Sequence, residues 1–424
     1  MSVFKEIIHD TSRVLTYIVY IITIYYLCIS FFGIYRKKEK REVKPKKSFA
    51  MIVAAHNEEI VIGDIVESLK RLDYPKHLYD IYVIADNCTD KTALRAREKG
   101  AIVYERVNKE KRGKGYALEW MFDHIFNMEK KYDAVSIFDA DNLAHKNFLI
   151  EMNKKLCEGY KVVQGYLDSK NPEDTWITGS YSISFWTNNR MFQLARNNIG
   201  LSSQLGGTGF SIDTEILRKL GWGATCLTED LEFTCKLVLN GYKVGWAHDA
   251  VIYDEKPLTL AQSWWQRKRW MQGFADVSSR YFFKLLRRAI SKFSFVALDC
   301  ALYSIQPIIA ILIGISAITG VFQYFMKAFN IISNFNTFIY SFNFNLLTIA
   351  IGIFGVLQFI YTPLILVLEK KLNLKIFWYY IIYPVYAITW FPISIQGIMD
   401  KNNKEWSHTL HTRSVKINDL EKAN

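Results

Sequence analysis

The sequence predicts a mostly parallel, Rossmann-like α/β domain inserted between transmembrane α-helices. Three observations lead there. Short apolar runs alternate with helical patterns from Ser48 onward, as βαβ units on a parallel sheet require. Charge-poor blocks flank that segment, each near the ~20 residues needed to cross a bilayer. Lys and Arg collect where those blocks meet the segment.

The first block, residues 14–35 (VLTYIVYIITIYYLCISFFGIY), is uncharged and is expected to be the one span of an N-terminal unit, residues 1–35. It is too long for a signal peptide and lacks the small-residue cleavage site. A basic linker, RKKEKREVKPKK (residues 36–47), follows, and LLRRAISK (residues 285–292) precedes the second block. Cytoplasmic flanks accumulate Lys and Arg. The domain at residues 48–254 is therefore expected in the cytoplasm, on a multi-pass protein of the cell membrane. The net charge of +12 then belongs to the bilayer surface, and no nucleic acid is needed to explain it. An amphipathic interfacial helix is expected within residues 255–292. A C-terminal transmembrane region follows at residues 293–399, with three apolar segments: 293–324 (containing Asp299), 346–368, and 376–399 (containing Pro384 and Pro392). A polar tail covers residues 400–424. Three spans after the domain would leave that tail outside, whereas a re-entrant 376–399 would return it inside. The six cysteines form no CxxC pair and read as free thiols.

Within the domain, SFAMIVAA, IYVIAD, AIVYER and AVSIFDA read as strands. EEIVIGDIVESLKRL, DKTALRAREKG and KGYALEWMFDHIFNM read as the helices between them. Ligands of such sheets bind beyond the carboxyl ends of the strands. His56, Asn57 and Glu58, then Asp86, then Asp139 and Asp141, all stand there. One Asp after a strand is as often a turn former or cap, and Asp90 before KTALRA reads as a cap. Three polar strand ends on one edge ask for more. Asp139 and Asp141 are one residue apart and share a side of an extended chain. Buried together, they need partners or a cation. Mg²⁺ and Mn²⁺ take oxygen ligands, usually one or two carboxylates plus phosphate oxygens, so the pair suggests a metal–diphosphate site. The stretch KRGKGYAL has neither the Walker A nor the GxGxxG pattern. Its glycines beside cations still suit a phosphate, with a solvated basic turn as the alternative reading.

Further on, Thr228 in TEDLEF reads as an N-cap, and helix-terminal charge accounts for one of Glu229 and Asp230 but not both. In WWQRKRWMQG (residues 264–273), Gln266, Arg269 and Trp270 are spaced i, i+3, i+4, so they share one helical face that Gly273 extends. That face offers an amide, a guanidinium suited to phosphate and an indole suited to stacking on a sugar ring. Arg267 and Lys268 turn away, towards lipid headgroups or the domain's own acids. Trp264, Arg287 and Arg288 fit an interfacial anchor.

The ordered set AAHNEE, ADNCTD, RGKGYAL, DADN, GGTGF, TED and QRKRW resembles the membrane-embedded, processive branch of family 2 glycosyltransferases, which includes cellulose, chitin, hyaluronan and poly-N-acetylglucosamine synthases. The resemblance implies a GT-A-type domain on a membrane channel. It places Ala54, His56, Glu58 and Asp86 at the uridine, Lys114 at the diphosphate, Asp139 towards the donor sugar and Asp141 at an Mg²⁺ or Mn²⁺ ion. Asp230 matches the general base, with Glu229 beside it. Gln266, Arg269 and Trp270 match the motif at the acceptor end. Relatives with two or more spans before the domain differ from this chain, where one is clear.

The expected function is an inverting, processive β-glycosyltransferase that polymerises a sugar from UDP-glucose or UDP-N-acetylglucosamine and secretes the polysaccharide through its own spans. The expected partners are that donor, a growing glycan and the bilayer, with a homo-oligomer left open. A one-step transferase acting on a lipid carrier is the alternative. A non-catalytic receptor has no use for Asp230. YDEKP (residues 253–257) reads equally as an acceptor contact or a plain loop. Asp299, inside a span, is expected to face a polar channel, since intramembrane ionisable groups usually face the protein interior.

Overall fold

The computed structural model describes residues 2–37, 43–223, 226–333, 359–403 and 413–423. Part of the basic linker, the 346–368 block up to residue 358 and most of the WSHTLHTR stretch of the tail lie outside the described residues.

Helix α1 (Ser2–Phe31) leads to strand β1 (Phe49–Ala55) and helix α2 (Ile62–Lys70). Then come β2 (Tyr79–Asp86), α3 (Thr92–Glu98), β3 (Ile102–Arg106), α4 (Lys114–Asn127) and β4 (Ala134–Asp139), within a few residues of the sequence expectation. Burial explains why β1 reads as an unbroken apolar run. Phe49, Met51, Val53 and Ala55 pack on one side against Ile62, Ile65 and Leu69 of α2. Ala50 and Ile52 pack on the other against Leu118, Met121 and Ile125 of α4. A strand covered on both faces has no polar side to alternate, and each Ile or Val so buried contributes ~1.5–3 kcal/mol. The N-cap position falls on Lys91, one residue after the expected Asp90, whose Oδ1 still accepts from the Thr92 amide at 3.0 Å.

The chain continues through β5 (Leu143–Ala144), α5 (Phe148–Cys157), β6 (Val162–Ser169) and α6 (Trp176–Asn188). A π-helical turn (Asn189–Leu194) and α7 (Ala195–Asn198) extend α6, and β7 (Phe210–Asp213), α8 (Thr214–Leu220), α9 (Glu229–Leu239) and β8 (Val244–Asp254) complete the domain. The strands form one sheet in the order β3-β2-β1-β4-β7-β6-β8-β5. The mostly parallel expectation holds for six of the eight strands, β6 and β8 pairing in parallel like β3, β2, β1 and β4; the exceptions are β7 and β5. β7 runs antiparallel to both β4 and β6, and β5 antiparallel to β8, so the sheet is mixed. β7 has four residues and follows a tight glycine loop, which reverses it into a slot between longer strands.

The long helix α10 (Leu260–Ser291) leaves β8, followed by α11 (Phe295–Ser304) and α12 (Gln306–Ser333). After the undescribed stretch come α13 (Phe359–Leu368), α14 (Leu374–Ile388), α15 (Trp390–Met399) and α16 (Ile417–Ala423). Among the described residues, Leu374–Met399 is the one helix long and apolar enough to cross a bilayer. Phe295–Ser304 and Gln306–Thr319 qualify only as a pair, bent by 65°, while Tyr17–Phe31 and Phe359–Leu368 are shorter.

Three expectations about these helices change. Arg267 is fully buried rather than facing headgroups: its guanidinium carbon sits 4.2 Å from the ring centre of Tyr386 and 5.0 Å from that of Trp390. Its Nη1 donates to Thr389 Oγ1 at 2.8 Å, where α14 gives way to α15. Lys268 pairs with Asp400, and Trp264 Nε1 donates to Gln396 Oε1 at 2.8 Å. The outward face of α10 therefore grips the C-terminal helices instead of lipid. Asp299 faces no channel. It is buried, paired with Arg196 of α7 at 2.7 Å and hydrogen-bonded by Tyr25 of α1 at 3.0 Å. α1 also stops short of residue 35: Arg190 donates to the carbonyls of Gly33 and Ile34 at 2.9 and 3.0 Å.

Candidate active site

Ala54, His56, Glu58, Asp86, Lys114, Asp139, Asp141, Glu229, Asp230, Gln266, Arg269 and Trp270 line one cavity of about 440 Å³, while Asn57 stays outside its lining. It opens at the carboxyl ends of β1, β2 and β4 and is closed by α9 and α10. That volume lies within the usual range for small-molecule sites.

The turn after β1 supplies His56 and Glu58. His56 Nδ1 lies 2.7 Å from the carbonyl of Asp86, which ties the ends of β1 and β2 together. The Glu58 amide donates to Thr92 Oγ1 at 2.8 Å. Asp86 is buried, and its carboxylate is held by Arg106 from the end of β3. Sequence reasoning missed Arg106. Its only signal was a cation ending a strand beside one that ends in an acid.

Lys114 opens α4. Its Nζ pairs with Asp139 and donates to the Gly207 carbonyl at 2.7 Å. Burial alone would lower its pKa, but the carboxylates of Asp139, Glu229 and Asp230 outweigh burial and hold it above the ordinary lysine value. The loop before β7 is built around this contact. Gln164 Oε1 accepts from the Gly206 amide at 2.9 Å, and Thr208 Oγ1 accepts from the Asp139 amide at 3.0 Å. Gly207 takes a φ of +82°, which a side chain disfavours. A Cβ there would stand 3.6 Å from Asp230 Oδ2, against the carboxylate.

Glu229 and Asp230 begin α9. Thr228 stands at the N-cap position, but its hydroxyl makes no capping bond. It packs instead on Gly273 of α10, where an added Cβ would fall 2.4 Å from both Thr228 Cγ2 and Oγ1. Gly273 thus lets α10 lie directly under the TED turn. Burial raises the pKa of both acids. Their mutual repulsion adds to it for Glu229, and the Lys114 charge opposes it for both. Asp230 Oδ1 also accepts from the Leu231 amide at 2.8 Å, a contact that favours the ionised form.

From α10, Gln266, Arg269 and Trp270 enter the cavity while Arg267 and Lys268 leave it, as the helical spacing predicted. Gln266 Oε1 accepts from the Tyr181 hydroxyl at 2.6 Å. The Trp270 ring meets Tyr181 at 6.0 Å and Phe185 at 6.3 Å, making an aromatic wall. Burial lowers the pKa of Arg269, with Glu229 and Asp139 pulling it back up. Tyr181 and Phe185 of α6 carried no local motif.

The opposite wall is acidic. Asp141 Oδ2 accepts from the Glu255 amide at 3.0 Å. Burial pushes the Asp254 carboxyl up to about 6; Lys256 opposes the shift, and the charges of Asp141 and Asp139 add to it. Among the described residues no three His, Cys, Asp or Glu side chains converge on one point as a ready-made cage. Asp139, Asp141 and Asp254 nevertheless line one cavity, and their crowding is what a hard cation relieves. That donor set fits Mg²⁺ or Mn²⁺, which need few protein carboxylates when phosphate oxygens complete the shell.

A cleft at the carboxyl edge of this mixed sheet, with Asp139 and Asp141 on one wall and Glu229 and Asp230 at the start of α9 on the other, goes with a GT-A-like α/β domain. Residues 45–273 match the family described as "Glycosyltransferase like family 2", and the chain belongs to that family. It is 29% identical over 243 residues to a beta-monoglucosyldiacylglycerol synthase of Synechocystis, covering 54% of this chain and 48% of the relative. It is 26% identical over 259 residues to a poly-beta-1,6-N-acetyl-D-glucosamine synthase of Staphylococcus aureus, covering 59% and 60%. The chain thus spans about half to three fifths of those relatives' length. In fold it is similar to a mannosyltransferase from Pyrobaculum calidifontis in complex with GDP-mannose and Mn²⁺ (TM-score 0.59, 16% identity, 93% of this chain and 99% of that one).

Proposed function

We propose that this glycosyltransferase is an inverting, processive β-glycosyltransferase drawing on UDP-glucose or UDP-N-acetylglucosamine and extending a glycan at the face of a cell membrane. The observation that carries this reading is one cavity lined together by Asp230, the Lys114–Asp139 pair, and Trp270 and Phe185, with Tyr181 packed behind Trp270. A donor diphosphate sits beside Lys114 and Arg269; the UDP oxygen leaves with the bonding pair, and the two cations stabilise the negative charge it gains. The terminal sugar of the acceptor stacks on Trp270, placing its hydroxyl against Asp230. Asp230 takes the hydroxyl proton as the new bond forms. The acceptor oxygen bonds to the anomeric carbon as the carbon–UDP bond breaks, a single displacement that inverts the centre. A divalent cation held by Asp141, with Asp139 and Asp254 nearby, supplies charge neutralisation at the diphosphate when bound.

A one-step transfer to a lipid acceptor is the second reading. The floor beneath Asp230 is apolar, lined by Leu231, Phe274 and Tyr303, and Tyr303 sits on α11, the helix that joins α1 through Asp299. The two readings part on product length. Incubating the membrane-reconstituted protein with radiolabelled UDP-sugars and sizing the products tests both. A polymer ladder supports the first, a single glycolipid the second, and no transfer from any UDP-sugar overturns both.

Turnover is expected to stop in excess EDTA and return with Mn²⁺ or Mg²⁺, and Asp141→Ala is expected to raise the concentration of metal needed. Full activity in EDTA would remove the cation from the scheme.

The two faces of α10 are expected to respond differently. Trp270→Ala removes the stacking platform, and misplacing the reacting hydroxyl can slow transfer ~100-fold. Lys268→Ala loses a half-exposed pair with Asp400 worth at most ~1 kcal/mol. Arg267→Ala empties a buried slot between two rings, so its loss appears as a lowered melting temperature rather than as altered acceptor affinity. Polymer yield, acceptor KM and melting temperature of the three variants distinguish the faces. Equal effects of Trp270→Ala and Lys268→Ala on acceptor KM would undo the assignment.

A further inference from the structure

Residues 413–423 of the tail return to the α/β domain. Ile417, at the start of α16, is buried against Leu143 of β5 and Tyr253 of β8, with Val415, Leu420 and Val251 around it. On its other side the segment holds α2. Ser414 Oγ donates to Asp64 Oδ2 at 2.6 Å, and Arg71 Nη1 donates to Asn418 Oδ1 at 2.7 Å. Arg413 pairs with Asp174 between β6 and α6.

The clasped elements carry opposite sides of the cavity. α2 leaves directly from the turn bearing His56 and Glu58. Leu143 lies two residues after Asp141, and Tyr253 lies two before Glu255, whose amide holds Asp141. Leu143 and Tyr253 are register partners in the β5–β8 ladder. β5 has only two residues, too few for a ladder to fix its position by itself. The side chain that covers this pair is Ile417.

We propose that residues 413–423 form a strap that sets the position of Asp141 relative to the His56–Glu58 turn, and so governs how tightly the donor binds together with its cation. This rests on reading the cavity as a UDP-sugar site. The strap touches neither donor nor acceptor, so its residues are positioning residues. Loosening it acts on the joint binding of metal and nucleotide before it acts on the chemical step.

The test is calorimetric titration of the full-length protein with UDP plus Mn²⁺ and with UDP alone, alongside donor kinetics. Ile417→Asp is expected to weaken Mn²⁺–UDP binding by ~10–100-fold, the scale for losing an outer support of a metal site. UDP alone should bind nearly as before, and kcat at saturating donor and metal should hold. Ile417→Leu is expected to restore wild-type binding. If Ile417→Asp does not fold, the surface pair Arg71→Ala with Ser414→Ala loosens the α2 side alone and is expected to raise donor KM at unchanged kcat. Unchanged Mn²⁺–UDP affinity in a folded Ile417→Asp protein, or unchanged KM in the surface pair, overturns the strap. Binding of Mn²⁺–UDP that depends on Ile417 without any sugar transfer would overturn the proposed reaction and leave the strap in place.

Discussion

Asp230→Asn is expected to abolish sugar transfer while leaving UDP binding close to normal. The amide keeps the shape and the contact with the Leu231 amide but cannot accept the acceptor's proton; losing a general base costs ~10²–10⁴-fold. The pH profile of the wild-type enzyme adds a second signature. Burial raises the Asp230 carboxyl above the usual carboxylate range, and the Lys114 charge limits that rise. The base works only when ionised, so kcat/KM should fall as pH drops through this raised pKa, at a pH well above that of an exposed Asp. Lys114→Gln removes the opposing charge and should move the acidic limb higher still. Stability runs the other way. A carboxyl with a raised folded-state pKa loses stabilisation as pH rises through that value, so Asp230→Asn should melt no lower than wild type at neutral pH. Transfer at the wild-type rate would reduce Asp230 to a helix-terminal charge.

Gly273→Val is expected to be nearly as damaging, although Gly273 has no side chain to take part in chemistry. An added Cβ would overlap Thr228 at 2.4 Å, so either α10 or the start of α9 must move. Overpacking of this kind costs ~1–3 kcal/mol of stability. The larger loss is geometric: a displacement of about 1 Å at Asp230 can cost ~100-fold in rate. The milder Gly273→Ala should show part of both effects, and adding Thr228→Ala should return part of the rate, because Cγ2 and Oγ1, both at 2.4 Å, leave while Cβ at 2.8 Å stays. Comparing kcat/KM for the two singles and the double isolates the coupling. Independent, additive losses would show that the contact does not set the position of Asp230.

Much of this was legible in the sequence, for reasons that also mark the limit. β1, β2 and β4 are short apolar runs covered on both sides, and their acidic ends fall at one edge by the rule of parallel sheets. The QRKRW spacing resolved into faces because helical periodicity is local. Arg106 beside Asp86, Arg196 beside Asp299 and Arg267 between Tyr386 and Trp390 were not legible. In each, the partner lies between 20 and 123 residues away, and no pattern in the chain announces it. β7 was missed because four residues following glycines look like loop, and its direction is imposed by the slot between β4 and β6. YDEKP reads in sequence equally as a loop or an acceptor contact, and its Asp254 and Glu255 both line the cavity.

The docking of the tail also constrains parity. α10 grips the underside of the α/β domain through Thr228, and residues 413–423 hold its far edge through Ile417. The chain therefore departs from and returns to the same compartment. If the segment from α11 to α15 enters a bilayer, its crossings are therefore even in number, none included. The 65° bend between α11 and α12, and the grip of Arg267 on Thr389 and of Trp264 on Gln396 around the α14–α15 junction, are the places where such a segment would turn back.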